Sequence, residues 1–208
     1  MSLLEAVLRP KAMLAVAGVA FTLMGASLLR ERPLSEAGPF GPPIQIPVED
    51  TIELPAPDRY RITATDEYFV EALIVGRASY GWDRESDLAP VDFALAWGPL
   101  TSERNLRGIE YTQRNRWYYY QWQTADVTVS SDDIRANSAN THILLPPNNP
   151  ELERTVLGLR RGDAVRLKGF LVSVEAEDGW NWRSSRDRND SGEGSCELLY
   201  VIDVEVVG

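Results

Sequence analysis

"NPELERTVLGLRRGDAVRLKGFLVSV", residues 149–174, decides how the fold is read, because two periodicities meet inside it. Asn149 can cap a helix, Pro150 fits the first turn, and Glu151 and Glu153 sit where the helix dipole favours acids. Leu152, Val156 and Leu159 share one face, and Gly162 marks a stop. The spacing then changes to that of a strand. Val165, Leu167 and Leu171 alternate with Arg166 and Lys168, and around Gly169 the apolar phase moves to Phe170, Val172 and Val174. A one-residue phase change at a glycine inside a strand reads as a β-bulge.

Working outward from this stretch, the chain reads mostly as strands. Asp178-Gly179 is a hairpin signal leading into "WNWRSS". The last strand runs from Cys196 to Val207, with an apolar face carrying Cys196, Leu198, Tyr200, Ile202, Val204 and Val206, and Glu197 on the opposite face. Upstream, "YFVEALIVGRASY" from Tyr68 is dense in β-branched and aromatic residues and reads as a buried strand. "APVDFALAW" reads as a short helix with Pro90 in its first turn. "IEYTQRNRWYYYQWQ", 109–123, reads as one or two strands. It puts Trp117, Tyr119 and Gln121 on one face and Tyr118, Tyr120 and Trp122 on the other, and one of the two rows must find the core. The expected fold is mainly β (α+β): a small OB-like or SH3-like barrel with one long helix and insertions.

The chain has 208 residues, 44% of them hydrophobic, and a net charge of −10. Its first 32 residues carry four bases and two acids, so the remainder stands at −12. Such a surface repels phosphate backbones, because nucleic-acid affinity rests on cations displacing counterions. No nucleic-acid partner is expected. The single cysteine, Cys196, rules out an internal disulfide framework.

Residues 12–29, "AMLAVAGVAFTLMGASLL", form an uncharged run between Arg9 and Lys11 before and Arg30 and Arg32 after. A run of 18 is near the lower limit for a spanning helix. We read it as an uncleaved single-pass anchor; a secretory signal, with small residues at Gly25, Ala26 and Ser27, is the competing reading. Residues 1–11 then form the N-terminal flank, 12–29 the transmembrane helix, 30–65 a Pro-rich linker and 66–208 a β-rich globular domain. A single N-terminal anchor followed by one large domain implies that the domain lies outside the cytoplasm. Gly18, Thr22 and Ala26, with Gly25 beside them, form a small-residue stripe that lets another membrane helix approach closely.

Three polar or aromatic sets are candidate sites. Asp187, Asn189 and Ser191 match part of a calcium-loop pattern, but Leu198 stands where the bidentate carboxylate belongs, so a polar hairpin loop is the simpler reading and no metal is expected. In "NSANTHILLP", 137–146, His142 with Asn137 and Asn140 is the weak catalytic candidate, against turn chemistry. Trp117, Tyr119, Trp180 and Trp182 are candidate partner-binding residues, suited to stacking on a ligand or packing on a protein. The sequence carries no phosphate loop, dinucleotide fingerprint, nucleophile elbow or metalloprotease helix, and no cofactor is expected.

Three segments taken together, "DLAPVDFALAWGPLTS" (87–102), "NSANTHILLP" (137–146) and "DGWNWRSSRDRNDSGEGSCELLYV" (178–201), resemble a family of bacterial membrane-anchored proteins with no assigned activity. The resemblance spans roughly residues 66–206. It brings no catalytic residues. Members often carry a histidine before the Ser-Ala-Asn where this chain has Asn137, which weakens a two-histidine metal site. It implies that the Trp-Arg-Ser-Ser and Cys-Glu-Leu segments belong to a shared architectural core. These readings lead to a non-enzymatic accessory or assembly subunit of a larger membrane complex, whose domain makes protein contacts. The alternatives are a hydrolase built on His142, and a ligand- or glycan-binding module built on exposed aromatics.

Overall fold

Among the described residues, nine strands and three short helices follow in the order β1 (Ile44–Leu54), β2 (Tyr60–Ser79), β3 (Val91–Ala96), α1 (Glu103–Gly108), β4 (Ile109–Arg114), β5 (Trp117–Trp122), α2 (Ser131–Ala136), β6 (Ser138–Leu144), α3 (Pro150–Gly158), β7 (Ala164–Ala176), β8 (Asn181–Arg183) and β9 (Glu197–Val206). The structure is a computed structural model, and it describes residues 34–186 and 196–207. The expected anchor at 12–29 with Gly18, Thr22, Gly25 and Ala26, and the loop with Asp187, Asn189 and Ser191, lie outside the described residues. No helix among the described residues is long and apolar enough to cross a membrane.

The protein is mainly β. Seven strands pair in the order β1-β2-β3-β6-β9-β7-β8, and β2 also pairs with β7. All of these pairings are antiparallel except β6 with β9. The 20-residue β2 serves β3 with its second half and β7 along most of its length, with register shifts at Ala64/Asp66 and Ile74/Gly76. The bulge expected at Gly169 is present: the β7–β9 register slips between Lys168 and Gly169. A Cβ on residue 169 would lie 2.0 Å from the Tyr200 carbonyl oxygen, so the strands approach this closely only because the side chain is absent.

Helix α3 forms as its residues dictate. The Asn149 side chain accepts a hydrogen bond from the Leu152 amide at 3.2 Å, and Leu152, Val156 and Leu159 are buried in the main core. The helix ends at Gly158, earlier than Gly162, because residues 159–163 turn back onto the sheet. There the Gly162 amide bonds the Ile74 carbonyl and the Asp163 carboxylate caps the Arg160 amide. The main core collects Val70, Phe93, Ile143, Leu167, Leu171 and Leu199 from β2, β3, β6, β7 and β9 beneath α3. Burying one such side chain stabilises by roughly 1.5–3 kcal/mol.

Three expectations need correction. "APVDFALAW" is strand β3 rather than a short helix, and every residue of Val91–Ala96 is buried. Its two faces meet two different cores: Phe93 and Leu95 enter the main one, while Ala94 and Ala96 join Leu73, Val75 and Ile109 in a second. A strand covered on both sides loses its alternation and then resembles a buried helix in sequence. "NSANTHIL" holds no turn cluster after Asn137: Ser138–Leu144 is the fully buried strand β6, wedged between β3 and β9. The stretch expected to be a linker enters the sheet at Ile44, and Tyr60, Ile62 and Ala64 are buried.

The last strand also departs from its expected one-sided pattern. Leu199 and Val201 enter the main core, Leu198 and Tyr200 a third cluster, and Glu197 is buried. Ile202, on the supposed inward face, is 51% exposed.

Candidate functional site

Two positive-φ residues, Asn115 (φ 52°) and Arg116 (φ 62°), close the β4–β5 hairpin and aim Arg116 back across the sheet. Its guanidinium makes a fork to Asp83 (Nε–Oδ2 2.9 Å, Nη2–Oδ1 2.8 Å) and further bonds to Asp92 Oδ1 (3.1 Å) and the Ala89 carbonyl (3.1 Å). It stacks on Tyr80, 4.1 Å from the ring centroid. Asp92 is fully buried, and the same Oδ1 lies 2.9 Å from His142 Nδ1. Asp92 and His142 are direct cross-strand partners on β3 and β6, which is why the contact forms. An ordered chain results: Asp83, Arg116, Asp92, His142.

Neighbouring groups hold this chain in place. The Arg116 amide donates to the Tyr80 hydroxyl (3.1 Å), and the Arg116 carbonyl accepts from Asn140 Nδ2 (2.9 Å). Asn140 Oδ1 in turn accepts from Gln113 (2.8 Å), and its amide reaches Cys196 Sγ at 3.5 Å. Hydrogen bonds from Arg116 hold the Asp83 carboxyl below the usual range, with burial opposing. Burial, then the Asp92 charge, pushes the Tyr80 hydroxyl up to about 12. An arginine fixed by two carboxylates is a rigid piece of floor, since removing it leaves the buried Asp92 carboxylate without its cation.

Above that floor lies a cleft of about 700 Å³. Its walls are aromatic: Tyr80, Trp82, Trp117 and Trp182. The Trp182 ring sits 4.9 Å from that of His142. Asn115, Asn181, Arg183 and Glu85 supply polar groups at the walls, and His142, Cys196 and Leu198 complete the lining. Trp82 is 83% exposed.

The residues singled out from sequence therefore separate. His142, Trp117 and Trp182 meet in the cleft. Asn140 clamps the hairpin beneath it, and Asn137 caps α2 by donating to the Asp133 carbonyl (2.8 Å). Trp180 packs edge-on to Tyr60 under Arg84, and Tyr119 is exposed beneath Arg114; neither lines the cleft. Of the two aromatic rows on β5, it is Tyr118, Tyr120 and Trp122 that pack on a core. Asp92, Arg116, Tyr80 and Trp82 were not singled out. The available signal was Asp92: a lone acid inside an otherwise apolar run, in a class of residue almost never buried without a partner. Among the described residues no group of three or more His, Cys, Asp and Glu is placed to hold a metal ion.

A second surface is built from other materials. Ile44 (56% exposed), Ile46 (53%) and Ile202 flank an apolar groove of about 290 Å³, completed by Phe69, Phe170 and Lys168. Cross-strand pairing sets this row, with Ile44 opposite Phe69 and Phe69 opposite Lys168. Strand β1 stands at one end of the strand order.

Comparison with known proteins gives no match: no family model, no curated protein and no solved structure is similar to this chain.

Proposed function

We propose that the chain is a non-enzymatic accessory or assembly subunit of a larger membrane protein complex, and that its β-rich domain docks on a protein partner. In this reading residues 12–29 are a single-pass anchor in a bacterial inner membrane and the domain lies in the periplasm. The domain is an OB-like barrel. Supporting this are the pairings β2–β3, β3–β6, β6–β9, β9–β7 and β7–β2, which return to their start, and the parallel β6–β9 pair with α3 placed before β7.

The observation that carries the docking role is the groove beside β1. Three isoleucines about half exposed around a shared apolar hollow, next to a terminal strand, are the kind of surface that monomeric proteins avoid leaving bare. Covering it needs no chemistry in the groove, only shape and apolar area. The test is purification of the intact chain from its native membrane in mild detergent. A stoichiometric partner that is lost on Ile44→Ser/Ile202→Ser supports the reading; a chain that runs alone, or a partner indifferent to both changes, contradicts it.

A second reading, hydrolysis, has one observation in its favour. His142 lines a cleft and its Nδ1 is 2.9 Å from the buried Asp92, so an imidazole and a carboxylate stand side by side where a substrate could reach the ring. Turnover of chromogenic ester probes, abolished by His142→Gln, would support it. No turnover by the intact chain would remove it.

A further inference from the structure

We propose that the cleft over the Arg116 floor is a binding site for a short neutral oligosaccharide. It shares no lining residue with the apolar groove, and the inference stands or falls separately from the docking role. The argument begins with what the walls lack. Among the described residues only one aliphatic side chain, Leu198, lines about 700 Å³ of cleft. A protein segment usually anchors through an apolar side chain in an apolar pocket, and none is formed here. A volume of this size is nevertheless typical of a small-molecule site.

What the walls do present suits a sugar. Trp82, Trp117 and Trp182 offer indole rings that are exposed or only partly buried. A pyranose has one face of C–H bonds, which packs on the electron-rich face of such a ring, and a rim of hydroxyls that must be satisfied. The same lining holds Asn115, Asn181, Arg183 and Glu85, planar side chains able to hold two neighbouring hydroxyls at once. Amide, guanidinium and carboxylate together supply both donors and acceptors, as a polyol requires.

Charge selects the neutral class. The Arg116 cation is shared between Asp83 and Asp92, and Glu85 offsets Arg183 in sign, so among the described residues the lining has no strong excess of either charge. A phosphorylated or polyanionic ligand would meet the Asp83 and Glu85 carboxylates, and a cationic one would meet the Arg116 and Arg183 guanidinium groups. The floor also removes the usual entropic cost of assembling a polar site. Tyr80, Asn140 and Gln113 hold the hairpin turn by hydrogen bonds, so Asn115 and Trp117, on either side of Arg116, are held in place before any ligand arrives.

The experiment is titration of the full-length chain in detergent with soluble cello-, chito- and malto-oligosaccharides, read by tryptophan fluorescence and calorimetry. Binding of at least one series is expected, weakened about tenfold or more by removing a stacking ring in Trp82→Ala or Trp117→Ala. Trp82 is mostly exposed, so its removal leaves the fold intact, and Tyr119→Ala, outside the cleft, is expected to bind as the parent does. No binding at millimolar concentration, binding indifferent to both tryptophans, or occupation of the cleft by a proline-rich peptide instead would overturn the proposal.

Discussion

The cleft and the groove both draw on β9, yet they hold their shape by opposite means. Beneath the cleft, Asp83, Arg116 and Asp92 are bonded in sequence with His142 Nδ1 2.9 Å from Asp92, and Asp92 has no exposed surface at all. Around the groove, Ile44, Ile46 and Ile202 keep about half their surface in water, and Gly169 lets β7 and β9 close up below them. A floor of buried charges is costly to form and intolerant of change, so it specifies one geometry. An exposed aliphatic rim adds little to stability and tolerates change. What it loses on substitution is contact with something else.

That contrast is most easily broken at Arg116. Arg116→Ala strands Asp92 inside the protein and is expected to lower unfolding free energy by about 3–5 kcal/mol, measured by urea denaturation. Arg116→Lys keeps the charge without the fork and is expected to fall between the parent and the alanine variant. If both variants unfold like the parent, the network does not hold the floor.

Under the groove, Gly169→Ala drives a methyl group into the Tyr200 carbonyl. Overpacking against backbone costs about 1–3 kcal/mol or more, visible as a lowered Tm. An unchanged Tm would mean the β7–β9 bulge is not the constraint described.

The pH dependence sharpens the cleft side. Asp83 has a folded pKa below that of its unfolded form, so it contributes stability that is fully present above about pH 4. That stability is lost as pH falls through the lower folded value. Asp83→Asn is therefore expected to flatten the acid limb of the stability profile, with most of the difference from the parent seen at neutral pH.

The smallest effect is expected at the rim of the groove. Ile44→Ser and Ile202→Ser are each expected to change stability by no more than about 0.5 kcal/mol.

Local signals in the sequence survived folding where one side of an element faces water. Asn149, Pro150, Leu152 and Val156 described α3, and the phase change at Gly169 described the bulge. They failed where both sides are covered. β3 and β6 lie in the middle of the sheet between two cores, so Val91–Ala96 looked helical and Ser138–Leu144 looked like a polar turn. The site suffered by the same cause: as part of a helix Asp92 is an ordinary surface acid, and only as a β3 residue does it face His142. Long-range register brings Asp83, Asp92, Arg116 and His142 together, and no local pattern records it.

The most direct measurement on the docking role is the composition of the complex recovered with the intact chain in mild detergent, parent against Ile44→Ser/Ile202→Ser. The account predicts a stoichiometric partner with the parent and its loss from a double variant that still folds. A parent that elutes alone, or a partner retained equally by both, would contradict it.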